Sequence, residues 1–377
     1  MRIVEPTPYL RGVRAVSEPG SDTAVGPSYA EHRHWLRYQE FFPSGLSLEP
    51  EPDAEPRGSA SRLLTGRGLP AEALPNTAVQ PEAPAPGMPV EEWWSWRGRR
   101  VHLDRIARPD APAKVIALHG IGGYGRMLTP YGRLPALADL EFLAPDLPGF
   151  GLTSSGLRNV TYAGWLRCVT DLVAAERRTD QRPVVLMGVG SAGRLAYDVA
   201  ARAGAGGSVA GVLVTGLADP RRDDVRRMLA TTPEVGRWSG LLGLLPGSVP
   251  MPLPPAWAPV RWLVNIAAMS NHAQFAHAIW ADPLAGGNWM SLGFLRSYLV
   301  AAPAVEPEDY AGPPVLLAHP AEDRWSPPRL SQEFFDRLGA RGRFAELNGA
   351  GHLPTEESGL ADLDRAVRDY VDELGLT

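Results

Sequence analysis

The sequence predicts an α/β protein with a mostly parallel central sheet and helices on both faces. Three observations carry that expectation. Short apolar runs recur near 114–118, 142–145, 184–187, 212–215 and 314–318, each closed by glycine, proline or a polar turn, as in strands buried on both sides. Helical patterns at 162–177, 194–203 and 330–338 fall between those runs. A glycine-rich turn joins the run at 184–188 directly to the helical segment at 194–200, which is how a buried strand feeds a helix N-terminus.

Taken in order, residues 1–25 show no periodicity. Ser28 and Glu31 have capping-box spacing, which predicts a short helix. Trp35, Tyr38 and Phe42 give that helix an apolar face, and Pro43 ends it. Nine prolines in the 45 residues from 46 to 90 exceed the background of about 5% several-fold and predict linker or extended coil, an arm that wraps the body or a partner subunit. The folded core begins near Glu91, with Arg97-Gly98 as the turn of a strand pair. Residues 218–303 break the alternation and hold five of the eleven tryptophans: Trp238, Trp257, Trp262, Trp280 and Trp289.

At 377 residues there is room for one large α/β domain with insertions, or two domains. The net charge of -5 gives no nucleic-acid footprint. No run of about 18 apolar residues exists and the start carries no signal-peptide core, so no membrane partner is expected. Cys168 stands alone, which excludes an internal disulfide and fits a reducing cytoplasm. Lys114 is the sole lysine among 37 basic residues, a bias read as GC-rich bacterial coding rather than phosphate binding.

The turn after the run at 184–188 reads Gly188-Val189-Gly190-Ser191-Ala192-Gly193. Upstream stand His119-Gly120-Ile121-Gly122-Gly123 and Asp146-Leu147-Pro148-Gly149-Phe150-Gly151. Downstream stand Glu322-Asp323-Arg324-Trp325 and Asn348-Gly349-Ala350-Gly351-His352. These five segments, in this order, resemble the α/β-hydrolase family, whose nucleophile elbow is G-x-S-x-G. In that register Gly190 stands where the serine belongs. The resemblance divides the chain into an N-terminal arm with a short helix and proline-rich linker (1–90), a first core part (91–217), a lid insertion (218–303) and a second core part (304–377).

What the resemblance implies for chemistry follows residue by residue. Asp323 orients His352 as the proton-moving group, with Asp219 a second possible acid or a helix cap. The backbone N–H groups of Ile121 and Ser191 form the anion-stabilising pair, with the Ser191 hydroxyl free to cap the next helix. His119 braces the loop. Tyr124, Trp325, Trp280 and Trp289 are candidate pocket residues, although packing explains them equally. No cofactor is expected: His272 and His277 lack metal-ligand spacing, and neither a dinucleotide fingerprint nor a P-loop is present. Without a nucleophile no acyl-enzyme forms. A base, an oxyanion hole and a covered cavity suit deprotonation followed by carbon–carbon bond formation on a large aromatic or polyketide-like natural product. Cofactor-free oxygenation, an esterase with its serine replaced at position 190, and a catalytically dead binding protein are the competing expectations. A homodimer through the arm is a further one.

Overall fold

The computed structural model describes residues 27–48, 87–153, 160–204, 206–237 and 257–376. Most of the proline-rich stretch and residues 238–256 of the insertion, Trp238 included, lie outside the described residues. Eight strands build the central sheet: β1 (Val90–Trp96), β2 (Arg99–Ile106), β3 (Lys114–Leu118), β4 (Glu141–Pro145), β5 (Val184–Gly188), β6 (Val209–Val214), β9 (Val315–Pro320) and β10 (Gly342–Leu347). They run side by side as β1-β2-β4-β3-β5-β6-β9-β10. The β1–β2 and β2–β4 pairs are antiparallel, and every other pairing is parallel. A small ribbon, β7 (Trp257–Pro259) with β8 (Trp289–Ser291), stands apart in the insertion.

Each parallel strand is apolar because both of its faces are covered. In β3, Ile116 and Leu118 join one core and Val115 and Ala117 the other. The helix Tyr162–Thr179 lays Trp165, Leu166, Val169, Leu172 and Val173 on the first core, and Thr161 caps it by accepting from the Gly164 N–H at 3.0 Å. The second core is closed by the helix Glu357–Glu373, through Leu360, Leu363, Val367 and Val371. The hairpin turn falls on Arg97 and Gly98, both with positive φ (48° and 74°), the twist that a two-residue antiparallel turn requires.

The arm departs from its expected start. Ser28 does not cap a helix; its hydroxyl bonds Glu91 on β1 at 3.0 Å, and the first helical turn opens only at Arg33. Helical turns cover Arg33–Trp35 and Leu36–Gln39, so the helix stops four residues before Pro43. Trp35, Tyr38 and Phe42 are buried against the chain's own body. Tyr29 donates to Asp146 at 2.7 Å, and the Arg126 guanidinium lies over the Tyr29 and Trp35 rings. Tyr38 donates to Asp282 of the insertion at 2.5 Å, and Tyr124 of the core donates to the same carboxylate at 2.7 Å. Arm, core and insertion therefore meet at one buried acid.

Candidate active site

The strand β5 ends at Gly188, and the chain turns sharply through Val189 and Gly190 into the helix Ala192–Ala203. Val189 N–H donates back to Leu118 O at 3.0 Å, and Gly190 N–H donates to the Thr215 hydroxyl at 2.9 Å. Gly190 has φ +57°, a left-handed conformation that glycine alone adopts at no steric cost. Opposite it, the loops after β9 and β10 are tied by Ala321 N–H to Leu347 O and Glu322 N–H to Ala350 O, both 3.0 Å. Those ties bring Asp323 and His352 together from 29 residues apart.

His352 Nδ1 lies 2.6 Å from Asp323 Oδ2. The other Asp323 oxygen accepts from the N–H groups of Trp325 (2.8 Å) and Ser326 (2.7 Å), which fixes the carboxylate in place. An ionised Asp323 makes Nδ1 the donor, so the lone pair of a neutral ring sits on Nε2. The imidazole is 3% exposed and is held edge-on by the Trp325 ring, 4.4 Å between centroids. No hydroxyl or thiol among the described residues hydrogen-bonds Nε2. Instead Nε2 faces Gly190: a β-carbon placed on Gly190 would lie 2.4 Å from it, inside any permitted contact.

The helix-capping role expected of the Ser191 hydroxyl is overturned. Ser191 makes no side-chain cap; its Oγ accepts from the Ile121 N–H at 3.0 Å. The hydroxyl thus occupies one of the two amides read as the oxyanion hole. Gly120 is what admits it, since a β-carbon there would come within 2.6 Å of Ser191 Oγ. His119 joins the neighbouring loops, with Nδ1 2.9 Å from Gly120 O and Nε2 accepting from Leu147 N–H at 2.9 Å; burial lowers its pKa and keeps it neutral. Asp219 bonds Arg221, not His352, and does not cap the helix Asp223–Leu229.

A cavity, partly open to solvent, lies over Nε2. Its polar floor is His119, Gly120, Ile121, Ser191 and His352. Its walls are apolar and come from the core (Met127, Leu128), the insertion (Met269, Phe275, Ile279) and the arm (Tyr38, Phe42). Of the four candidate pocket side chains, Trp325 lines it. Tyr124 does not: it is fully buried behind the wall, its hydroxyl bound to Asp282. Trp280 and Trp289 do not either; they stand 47% and 53% exposed on the outer surface, Trp280 beneath the Arg261 guanidinium and Trp289 against Trp262. The arm residues Tyr38 and Phe42 were readable only as a helix face, because nothing local says which body such a face covers. Phe275 and Ile279, four apart in the helix Ala273–Ala281, carried the same one-face signal in the insertion. Among the described residues no cluster of His, Cys, Asp and Glu is arranged to hold a metal, and no helix is long and apolar enough to cross a membrane.

A strand–elbow–helix, a histidine–aspartate pair on the loops after the last two strands, and a cavity at the carboxyl edge of the sheet together define a class of fold and site. The chain belongs to the alpha/beta hydrolase family, whose model matches residues 115–366. No curated protein sequence matches it. Among solved structures it is similar to a soluble variant of monoglyceride lipase from Saccharomyces cerevisiae in complex with a substrate analogue (TM-score 0.62, 14% identity, 76% of this chain and 95% of that one). It is also similar to a monoacylglycerol lipase from Paleococcus ferrophilus (TM-score 0.55, 16% identity, 73% and 99%) and to Est1E from Butyrivibrio proteoclasticus (TM-score 0.51, 15% identity, 76% and 99%). At these identities the likeness is one of fold.

Proposed function

We propose that this chain is a non-hydrolytic enzyme in which His352, oriented by Asp323, removes a proton from carbon in a large aromatic or polyketide-like substrate. The resulting enolate then forms a carbon–carbon bond by aldol or conjugate addition. One observation carries the reading: the imidazole Nε2 fills the space above Gly190 that a nucleophile's β-carbon needs. The base therefore faces the cavity with no side chain among the described residues to activate, and on this reading its proton comes from the bound molecule. The apolar walls favour a flat carbon skeleton. The Ile121 N–H, released when Ser191 Oγ turns aside, and the Ser191 hydroxyl itself offer donors to the enolate oxygen.

The competing reading is a serine esterase that has lost its nucleophile, and the lipase and esterase neighbours favour it. The same close approach argues against it, because a side chain at 190 requires the ring to withdraw. Two assays separate them. In D2O the protein should speed hydrogen–deuterium exchange α to the carbonyl of 1-tetralone, read by NMR, and His352→Asn should abolish this. Gly190→Ser should stay silent on p-nitrophenyl butyrate. Ester turnover by Gly190→Ser, with no exchange by the wild-type protein, would overturn the proposal.

A further inference from the structure

A second, narrow cavity shares His352, Trp325 and Ser191 with the first and adds Arg194, Tyr298 and Ser326. Arg194 stands four residues past Gly190, in the first turn of the helix Ala192–Ala203, and is 2% exposed. Its Nε donates to Asp198 at 3.3 Å, and Nη1 lies 3.6 Å from Asp219, beyond hydrogen-bonding reach. Neither Nη1 nor Nη2 has a hydrogen-bond partner among the described residues. Both carboxylates are served by other donors. Asp198 accepts from the Tyr162 hydroxyl (2.6 Å) and Ala304 N–H (2.8 Å), and Asp219 is bound by Arg221 at 2.6 Å.

A buried guanidinium that is ion-paired to Asp219 yet makes no hydrogen bond through its outer nitrogens costs a fold stability, and such groups in folded proteins call for a reason. The Phe334 ring lies 5.1 Å beneath the guanidinium carbon and holds it in place. Two further donors turn to the same cavity. The Tyr298 phenol, kept protonated because burial pushes its pKa up, makes no hydrogen bond to any described residue. Ser326 also lines the cavity, and its N–H serves Asp323.

We infer that Arg194, with Tyr298 and Ser326, binds a carboxylate carried by the molecule on which His352 acts. Two acceptor oxygens in one plane match the two free N–H groups of the guanidinium edge, a geometry that a lysine would not provide. A neutral carbonyl meets the same groups without ionic attraction. The inference rests on His352 being the working base, since the two cavities meet at that ring.

Benzoate and its neutral counterpart benzamide test it on the full-length protein, by calorimetric titration and by Trp fluorescence, Trp325 being a wall of the cavity. Benzoate should bind saturably, and benzamide about tenfold more weakly or worse. Arg194→Gln should weaken benzoate about tenfold or more, and Tyr298→Phe by a smaller factor. If Arg194→Gln fails to fold, Arg194→Lys, which keeps the charge but loses the fork, and Tyr298→Phe carry the test. No saturable benzoate binding, equal affinity in the Arg194 variants, or equal affinity for benzamide overturns the site. Benzoate binding without proton exchange therefore sinks only the proton-transfer reading, and exchange without benzoate binding sinks only this one.

Discussion

His102 and His352 are the same side chain beside the same kind of partner, in opposite settings. His102 is wholly buried with a carboxylate at each nitrogen: Glu91 3.2 Å from Nε2 and Asp146 3.2 Å from Nδ1. Burial opposes its charge, yet Asp146 and Glu91 outweigh burial and hold its pKa up to about 10. It is a fixed cation. It neutralises the acids that anchor the arm, since Tyr29 donates to Asp146 and Ser28 to Glu91. His352 has a carboxylate at one nitrogen only, and the other opens on a cavity. The partner of the second nitrogen, more than burial, separates a histidine locked between acids from one open to a bound molecule.

That contrast is broken first at Asp323. Asp323→Asn leaves the imidazole in place but removes the charge that fixes its tautomer, and proton exchange should fall about a hundredfold or more while the circular dichroism spectrum stays unchanged. A fall of less than threefold would make Asp323 a mere packing partner. Next comes His102→Gln, which leaves Asp146 and Glu91 without their cation. It should cost about 3–5 kcal/mol of stability near neutral pH, read by urea unfolding, with little change in exchange rate per folded molecule. The pH dependence has a definite sign. The folded pKa is raised from an ordinary 6.5 to about 10, so the contribution is complete below about pH 6.5 and drains away as pH climbs through 10. The gap between wild type and variant should narrow over that window; a constant gap would mean that His102 acts by shape alone. Smallest of all, Trp280→Ala and Trp289→Ala should move stability by about 0.5 kcal/mol at most and leave exchange unaltered. Loss of exchange there would restore both rings to the substrate path.

The contrast also sorts what was legible in the sequence. Apolar runs stopped by glycine are local signals, so the strands at 114–118, 142–145, 184–188 and 315–320 and the hairpin at Arg97-Gly98 can be read without a fold. The same holds for Gly190, because a left-handed residue leaves a glycine in the chain. Pocket walls are another matter. They come from three segments, and the rings at 38, 42, 275 and 279 give only the signal of a buried helix face. Tryptophans drew attention by size, but a large ring also shields a surface, as at 280 and 289. The roles of Ser191 and Arg194 depend on which atoms lie across a gap closed by the tertiary fold. No spacing along the chain encodes that.

The crowding at Gly190 has an evolutionary consequence. A glycine codon can become a serine codon by one base change, so the hydroxyl of the hydrolytic relatives is genetically close at hand. A serine arriving there would meet an imidazole already standing in its place. On the proposed reading, a working nucleophile there takes a shifted His352 ring as well as a new codon, which works as a ratchet: the mutation is easy to make and hard to use.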